Sequence, residues 1–222
     1  VAINKPHGLL VHRSPIAKDA ETFALQLLRD QIGQHVYPVH RLDRKTGGLL
    51  LFALNTETSR LLQQLFAQKG IQKTYHAIVR GYTPENDVID YPLRKEDGKV
   101  QEAVTAYTKL GEAEMPVKLG KHPTSRYSFL EISPLTGRMH QIRKHMAHIR
   151  HPIIGDRPHG CNKQNRLFKE CWQMDTMLLH ASRLRFQHPI SQREIILRAG
   201  FQSEFIRMIN LMGFEQSETL RA

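Results

Sequence analysis

Residues 40–48 concentrate polar chemistry around a single carboxylate. Asp43 is surrounded by cationic or potentially cationic side chains and precedes Gly47, Gly48 and a strongly apolar stretch. The surrounding side chains are those of His40, Arg41, Arg44 and Lys45. Nearby positive charge favours the ionised form of a carboxyl group, which can act as a nucleophile or a base. The same pattern also fits an aspartate that braces a turn through its backbone and a surface arginine, so composition alone leaves both interpretations open.

A second polar group lies at residues 136–143. If residues 138–149 form a helix, the spacing places Met139, Ile142 and Met146 on its buried face and Arg143 at the edge of that face. A half-buried arginine needs a carboxylate or phosphate partner. The alternative is a surface arginine whose aliphatic stem covers apolar side chains.

A third segment, residues 73–81, has the alternation of a strand, with Lys73, Tyr75, Ala77 and Val79 on one face. A tyrosine in a strand commonly belongs to the core or to the surface of the sheet. Tyr75 alone therefore predicts no chemistry.

The elements that must position these residues predict an α+β fold. Strands are predicted at residues 1–4, 9–11, 48–54, 73–79, 103–110, 127–133, 177–186 and 194–199, with 48–54 central because it is apolar throughout. Helices are predicted at 20–30, from 55 or 56 to about 69, at 138–149 and from 203 onward, with a surface excursion at 111–126 and irregular chain at 152–172. Strands often follow one another without a helix, which favours a mixed, mostly antiparallel sheet over a doubly wound one. The 222 residues suit one domain, 1–222.

The charge of the chain indicates a polyanionic partner. The formal net charge is +11, and residues 138–185 contain ten basic and three acidic side chains. Nucleic acid is the leading candidate and an anionic membrane surface the second. The alternative is a solvated surface with scattered charge.

Several other classes are disfavoured. No stretch of 18 apolar residues predicts a membrane span, and no secretory signal precedes the first strand, before which we expect some residues to be missing. Two cysteines suit a reducing compartment, and their spacing with the histidines predicts no metal site. The order His-Arg-Leu-Asp departs from the kinase catalytic loop, and no glycine-rich phosphate loop is present, so no nucleotide cofactor is expected.

Together the segments resemble RNA pseudouridine synthases of the family typified by the ribosomal large-subunit uridine synthase A group. The matching stretches are residues 4–12, 40–50, 73–75, 137–143, 151–156 and 178–181, in the family's order along nearly the whole chain. Two departures are Gly47, where the family usually has serine, and residues 157–172, which are expanded.

The resemblance implies the pseudouridine synthase fold, with flanking helices and loops and an active-site cleft, as a catalytic domain without an S4-like RNA-binding domain. It implies that Asp43 is the catalytic aspartate, Tyr75 the active-site tyrosine and Arg143 the partner of Asp43. Breaking the C1′–N1 bond of uridine and forming C1′–C5 adds nothing and oxidises nothing, so no cofactor and no metal are expected. We expect RNA contacts from Arg41, His40, Arg44, Arg138, His140 and Lys144.

Residues 159–165 resemble a subgroup of that family that modifies tRNA at uridine 65, with ribosomal RNA as the alternative substrate. An inactive RNA-binding module on the same fold is the other reading, but it would be free to lose Asp43, Tyr75 or Arg143, and all three are present. A DNA-binding protein is disfavoured because no helix-turn-helix or zinc pattern occurs. We expect a cytoplasmic monomer. Whether Asp43 attacks C1′, attacks the base or removes a sugar proton stays open.

Overall fold

A computed structural model describes residues 1–13 and 21–214. By their internal contacts these residues form two compact units. The first comprises Val1–Lys73 and Ala181–Gly200, and the second comprises Thr74–His180 and Phe201–Ala222, within the described ranges. No helix in the described ranges is both long and apolar enough to span a bilayer. The single-domain organisation stays a prediction.

The described chain has the element order of an α+β protein, in which six strands, between residues 72 and 134, follow one another without a helix. In chain order the elements are β1 (Ala2–Lys5), α1 (Ala24–Ile32), β2 (Tyr37–Pro38), β3 (Gly47–Ala53), α2 (Thr56–Ala67), β4 (Gln72–Arg80), β5 (Asn86–Asp90), β6 (Leu93–Arg94), β7 (Val100–Gln101), β8 (Val104–Met115), β9 (Ser125–Pro134), α3 (Gln141–His148), α4 (Asn162–Trp172), β10 (Leu179–Gln187), β11 (Glu194–Arg198) and α5 (Ser203–Leu211). The predicted helix at 20–30 is α1, and residue 20 lies outside the described residues.

The first unit is built on β3, all of whose residues are buried. β1 pairs antiparallel with β3, β2 pairs with its far end, and β11 pairs antiparallel with β10. α2 follows at once because Asn55 caps it, accepting a 2.8 Å hydrogen bond from the amide of Thr58. Its buried Leu62 packs with Leu49, Leu51 and other side chains of the unit. The predicted central strand and the helix after it are confirmed, although α2 ends at Ala67.

The second unit contains an antiparallel sheet in the order β4–β9–β8–β5. Ile78 of β4 packs into a cluster with Phe129, Phe168 and Phe205, so this face of the sheet is covered by α4 and α5. Ala77 and Val79 belong to the opposite cluster, which includes Met146 of α3. The predicted alternation along β4 is confirmed, and so is the mixed, mostly antiparallel α+β class.

Two sequence predictions for the second unit are wrong. The surface excursion expected at 111–126 is strand at both ends, because β8 and β9 pair as far as Met115 and Ser125, past an irregularity between Lys109 and Gly111. The connection between the two strands is confined to residues 116–124. The irregular chain expected at 152–172 contains α4, which is held by the burial of Gln164 and Phe168. No side-chain cap starts α4, so the local sequence carries little sign of it.

Two further predictions are wrong at their boundaries. Residues 9–11 are not a strand but contribute one parallel bridge, between Leu10 and Phe23. α3 begins at Gln141 rather than residue 138, because His140 adopts a left-handed backbone conformation with φ 55°. Met139 therefore lies before the helix and is 52% exposed, not on the buried face as expected.

Candidate active site

Asp43 lies half-buried in the loop that leads into β3. Its carbonyl oxygen accepts a 3.0 Å hydrogen bond from the amide of Thr46, which closes a turn, and the preceding Leu42 is buried as an anchor. Gly48 then starts the buried strand with φ +108°, and an added Cβ would lie 2.2 Å from the carbonyl oxygen of Ala181. Only glycine fits there. The loop is therefore fixed at both ends of the carboxylate-bearing turn.

Beneath this loop lies Lys5, which is fully buried. Its ammonium donates to the carbonyl oxygens of Pro6 and Leu9 at 2.9 Å and of Arg44 at 3.2 Å. Burial lowers the pKa of Lys5 to about 8, while the negative charge of Asp43 acts in the opposite direction. Lys5 is thus a mainly protonated cation at neutral pH, and it attracts the Asp43 carboxylate. Our sequence reading included Lys5 in a matching stretch without giving it a role.

Two neighbours of Asp43, Arg41 and Arg44, are exposed. The Nε of Arg44 donates to the carbonyl oxygen of Gly8 at 3.1 Å. His40 is half-buried and stacks on Phe66 with ring centroids 4.7 Å apart.

His40 is a neutral acceptor rather than a cation. Its Nε2 accepts a 3.0 Å hydrogen bond from the amide of Leu51, which leaves the ring proton on Nδ1. Burial and then the positive charge of Lys73 lower the pKa of His40 to about 3. Any RNA contact of His40 would therefore be uncharged, and that contact stays a prediction.

In the second unit Tyr75 is half-buried on β4, opposite Ile132 of β9. It packs against the cluster that contains Ile142 and Met146 of α3. The structure thus brings the predicted tyrosine beside the helix that carries Arg143.

Arg143 is buried and forms a two-point ion pair with Asp156. Nε donates to Oδ2 and Nη2 to Oδ1, both at 2.8 Å, and the side chains are 7% and 1% exposed. Burial disfavours the Asp156 carboxylate, but the hydrogen bonds and charge of Arg143 outweigh this and lower the pKa of Asp156. The sequence predicts a half-buried Arg143, and the structure buries it more fully than that. Asp156 was missed as its partner, although it follows a run of apolar residues in one of the matching stretches.

The loop before α3 is held by Gln141. Its Oε1 accepts from the hydroxyl of Thr136 at 2.6 Å and from the amide of Arg138 at 3.0 Å. Its Nε2 donates to the carbonyl and to the hydroxyl of two β8 residues, Val104 and Thr105, at 2.9 Å each. Of the predicted RNA-binding residues, Arg138 and His140 therefore lie on the turn that Gln141 holds, and Lys144 lies in the first turn of α3.

His140 pairs with His159, which belongs to the subgroup-like stretch 159–165 but was not predicted as a site residue. Nδ1 of His140 and Nε2 of His159 are 2.9 Å apart, and the amide of His159 donates to Oδ1 of Asp156 at 3.3 Å. Burial and then the charge of Arg143 lower the pKa of His159. This links the start of α3 to the Arg143–Asp156 pair. In the described ranges no group of three His, Cys, Asp or Glu side chains is arranged to hold a metal ion.

Comparison with known proteins places these residues in a family. The family model described as RNA pseudouridylate synthase matches residues 1–148, which include Asp43, Tyr75 and Arg143. The chain belongs to the RNA pseudouridylate synthase family. The resemblance inferred from the motifs is confirmed.

Curated members of this pseudouridylate synthase family match almost the full chain. The Vibrio cholerae protein named tRNA pseudouridine synthase C is 47% identical to this chain, over 100% of this chain and 96% of the relative. The protein of that name in Vibrio vulnificus is 50% identical over 90% of this chain and 86% of the relative. The protein of that name in Pasteurella multocida is 46% identical over 97% of this chain and 93% of the relative.

Solved structures of pseudouridylate synthases share the fold. The structure of human RNA pseudouridylate synthase domain containing 1 has a TM-score of 0.72 at 21% identity, over 92% of this chain and 81% of that one. The structure of human RNA pseudouridylate synthase domain containing 4 has a TM-score of 0.71 at 23% identity, over 96% of this chain and 89% of that one. The expected pseudouridine synthase fold is thereby confirmed. The individual roles of Asp43, Tyr75 and Arg143 stay predictions. The pairing of Asp43 with Arg143 also stays a prediction, and the two residues belong to different units.

Proposed function

We propose that this protein is an isomerase that converts a uridine of tRNA to pseudouridine. The observation that carries the proposal is the full-length similarity to relatives named for that reaction, together with a loop that holds Asp43 over a buried cation. The reaction conserves atoms: the C1′–N1 bond breaks, the base turns, C1′–C5 forms, C5 loses a proton and N1 gains one. The scheme needs groups that move protons and stabilise charge, and we assign these tasks to residues of this chain.

Asp43 is the group we assign to the sugar and base. Its carboxylate stands on a fixed turn and is attracted by the ammonium of Lys5. A preorganised charge of this kind stabilises developing charge without reorganisation of the site. Tyr75 is assigned to pack beside the base and to accept or relay the proton from C5. Arg143 is assigned to hold Asp43, with its own position set by Asp156.

The target nucleotide must leave its stack before it can react, at a cost of a few kcal/mol. Contacts to RNA phosphates offset that cost. We assign such contacts to Arg41 and Arg44 near Asp43 and to Arg138, His140 and Lys144 at the start of α3. His40, being neutral, is assigned a hydrogen bond to RNA through its Nδ1 proton.

Three finer assignments belong to the same proposal. The target is uridine 65, as the resemblance of residues 159–165 implies. The protein acts as a monomer, since its proposed catalytic residues come from one chain. It works in the cytoplasm, where bacterial tRNA is matured.

The test uses unmodified transcripts of tRNA and of large-subunit ribosomal RNA, incubated with the full chain and mapped for new pseudouridine by carbodiimide adducts that stop reverse transcription. We expect one new pseudouridine, at position 65 of tRNA. Asp43→Asn should form none, while Asp30→Asn, which changes an exposed aspartate of the same unit, should match the wild type. Pseudouridine in ribosomal RNA alone would overturn the tRNA assignment, and unchanged uridine in both RNAs would overturn the proposed function.

A further inference from the structure

α4 carries surface cations that no carboxylate in the described ranges neutralises. Lys163, Arg166 and Lys169 are exposed and form no ion pair there, and the same holds for Arg157 ahead of the helix. Some other cations of the same unit do have carboxylate partners, namely Lys109 with Glu85 and Glu112, Arg126 with Glu114, and Arg207 with Glu204. Pairing is not general in this unit, since the exposed Lys118 and Lys121 also form no ion pair in the described ranges; the α4 cations differ in standing together on one face of a helix.

The three cations form one face of the helix. Residues three apart are neighbours on a helix surface, so Lys163, Arg166 and Lys169 make a row about 9 Å long at 1.5 Å per residue. The opposite face is buried through Gln164 and Phe168. Glu170 is the one acidic residue of α4, so the exposed face keeps a positive balance.

The helix is held rigidly enough to present these charges in fixed positions. The hydroxyl of Tyr127 donates to Oε1 of Gln164 at 2.7 Å in the buried interior. Phe168 packs edge-on against Tyr127 at 5.3 Å and against Trp172 at 4.8 Å between ring centroids. A fixed backbone reduces the ordering cost when long cationic side chains bind a ligand.

α4 is also joined to the residues around Arg143. The side chain of Asn165 accepts from the amide of Gly155 at 2.9 Å and donates to the carbonyl of Asp156 at 2.8 Å. Asp156 in turn holds Arg143. An anion bound along α4 would therefore stand in a defined position relative to Arg143.

We propose that α4 is a docking helix for the RNA substrate, with Lys163, Arg166 and Lys169 bound to backbone phosphates. This inference rests on the proposed function for the identity of the polyanion. RNA suits the surface because phosphates recur along its backbone, and cationic side chains bind them without reading sequence. α4 lies outside residues 1–148, the part that the family model matches, so the family match does not itself imply this role.

The test compares two doubly substituted proteins that lose the same charge. Lys163→Gln/Lys169→Gln removes two lysines of the proposed row, and Lys118→Gln/Lys121→Gln removes two exposed lysines of the β8–β9 connection in the same unit. The dissociation constant for unmodified tRNA is measured by filter binding between 0.05 and 0.5 M salt, with thermal unfolding of each protein as a check on folding. Each lost phosphate contact should reduce the log–log salt slope by roughly 0.7–0.9.

For the α4 pair we expect a slope smaller by about 1.4–1.8, and affinity at 0.1 M salt weaker by about 25- to 60-fold. The control pair should stay within about threefold of the wild type, because it changes only the long-range charge. Equal effects of the two pairs, or no loss from the α4 pair, would overturn the docking helix. Pseudouridine formation by the wild type in the same samples tests the proposed function separately, so a failure of one is distinguishable from a failure of the other.

Discussion

Replacing Arg143 by methionine should destabilise the second unit as well as slow the reaction. The substitution keeps an aliphatic stem but removes the guanidinium from Asp156, which is 1% exposed. The hydrogen bond that remains to the carboxylate in the described structure is the 3.3 Å contact from the amide of His159.

The magnitude follows from burial and geometry. Removing one partner of a buried, hydrogen-bonded ion pair costs about 3–5 kcal/mol in the free energy of unfolding, because the other charge stays in an apolar interior. For a chain of this length each kcal/mol lowers Tm by about 2–4 °C. An exposed pair in the same unit, Arg126 with Glu114, is the matched control, and Arg126→Met should cost less than about 1 kcal/mol.

The assay is urea unfolding followed by tryptophan fluorescence. The chain has one tryptophan, Trp172, and it packs against the core of the same unit. A second variant separates charge from shape: Arg143→Met/Asp156→Asn removes the buried negative charge and should recover at least half of the lost stability. It should not recover turnover, because Arg143 is still absent.

Two results would refute this reasoning. A loss below about 1 kcal/mol for Arg143→Met would mean that the pair is not effectively buried. A double variant no more stable than Arg143→Met would mean that the unneutralised carboxylate is not the cause.

The remaining predictions concern the tyrosine, the pH dependence and a glycine. Tyr75→Phe should slow single-turnover pseudouridine formation by about 100-fold or more while filter binding shows little change in RNA affinity; full turnover would deny the hydroxyl a chemical role. The lowered pKa of Asp156 means that the pair contributes stability above the ordinary carboxyl pKa and loses it as the pH falls through the folded value. The gap in urea stability between wild type and Arg143→Met should therefore narrow between pH 5 and pH 3, and a constant gap would contradict the assignment. Gly155→Ala, whose Cβ would lie 1.8 Å from a backbone oxygen, should lower Tm well beyond Gly213→Ala, which has a similar positive φ but no atom within 4 Å; equal losses would indicate that only backbone strain matters.

Local signals were enough for β3 and α2. The apolar run of residues 48–54 has the length of a strand and no polar face, and Asn55 provides an ordinary helix start. Both features act within a few residues, so they are visible in the sequence. The same holds for α5, where the predicted helix from residue 203 is confirmed.

α4 could not be predicted in this way, because what stabilises it is distant in sequence. Tyr127 of β9 supplies both the hydrogen bond to Gln164 and the ring against which Phe168 packs. The start of α3 was misplaced for a similar reason. The left-handed conformation of His140 accompanies its contact with His159, nineteen residues away, and no local pattern announces it.

In the candidate site, residue type and sequence context were enough to predict Asp43 and Arg143 as site residues, but not to predict which side chains lie beside them. Asp43 and Arg143 stood out as a carboxylate among cations and an arginine at the edge of a buried face. The burial of Lys5 and Asp156 depends on tertiary packing, which the sequence around each residue does not show. A lysine just before a Pro-His-Gly turn and an aspartate just after an apolar run were the signals available for them.

The division of the chain also bears on its synthesis. The first unit is completed only by Ala181–Gly200, and the side chain of Asn4 donates to the carbonyl of Gly200 across 196 positions of sequence. The second unit likewise waits for α5, whose Phe205 and Met208 are fully buried in its core. Neither unit can therefore reach its final packing while its last segment is still inside the ribosome. Nascent chains that have already formed β1, β3 and β4 keep apolar surface exposed until residues 181–211 emerge, and such partly folded chains are prone to aggregate.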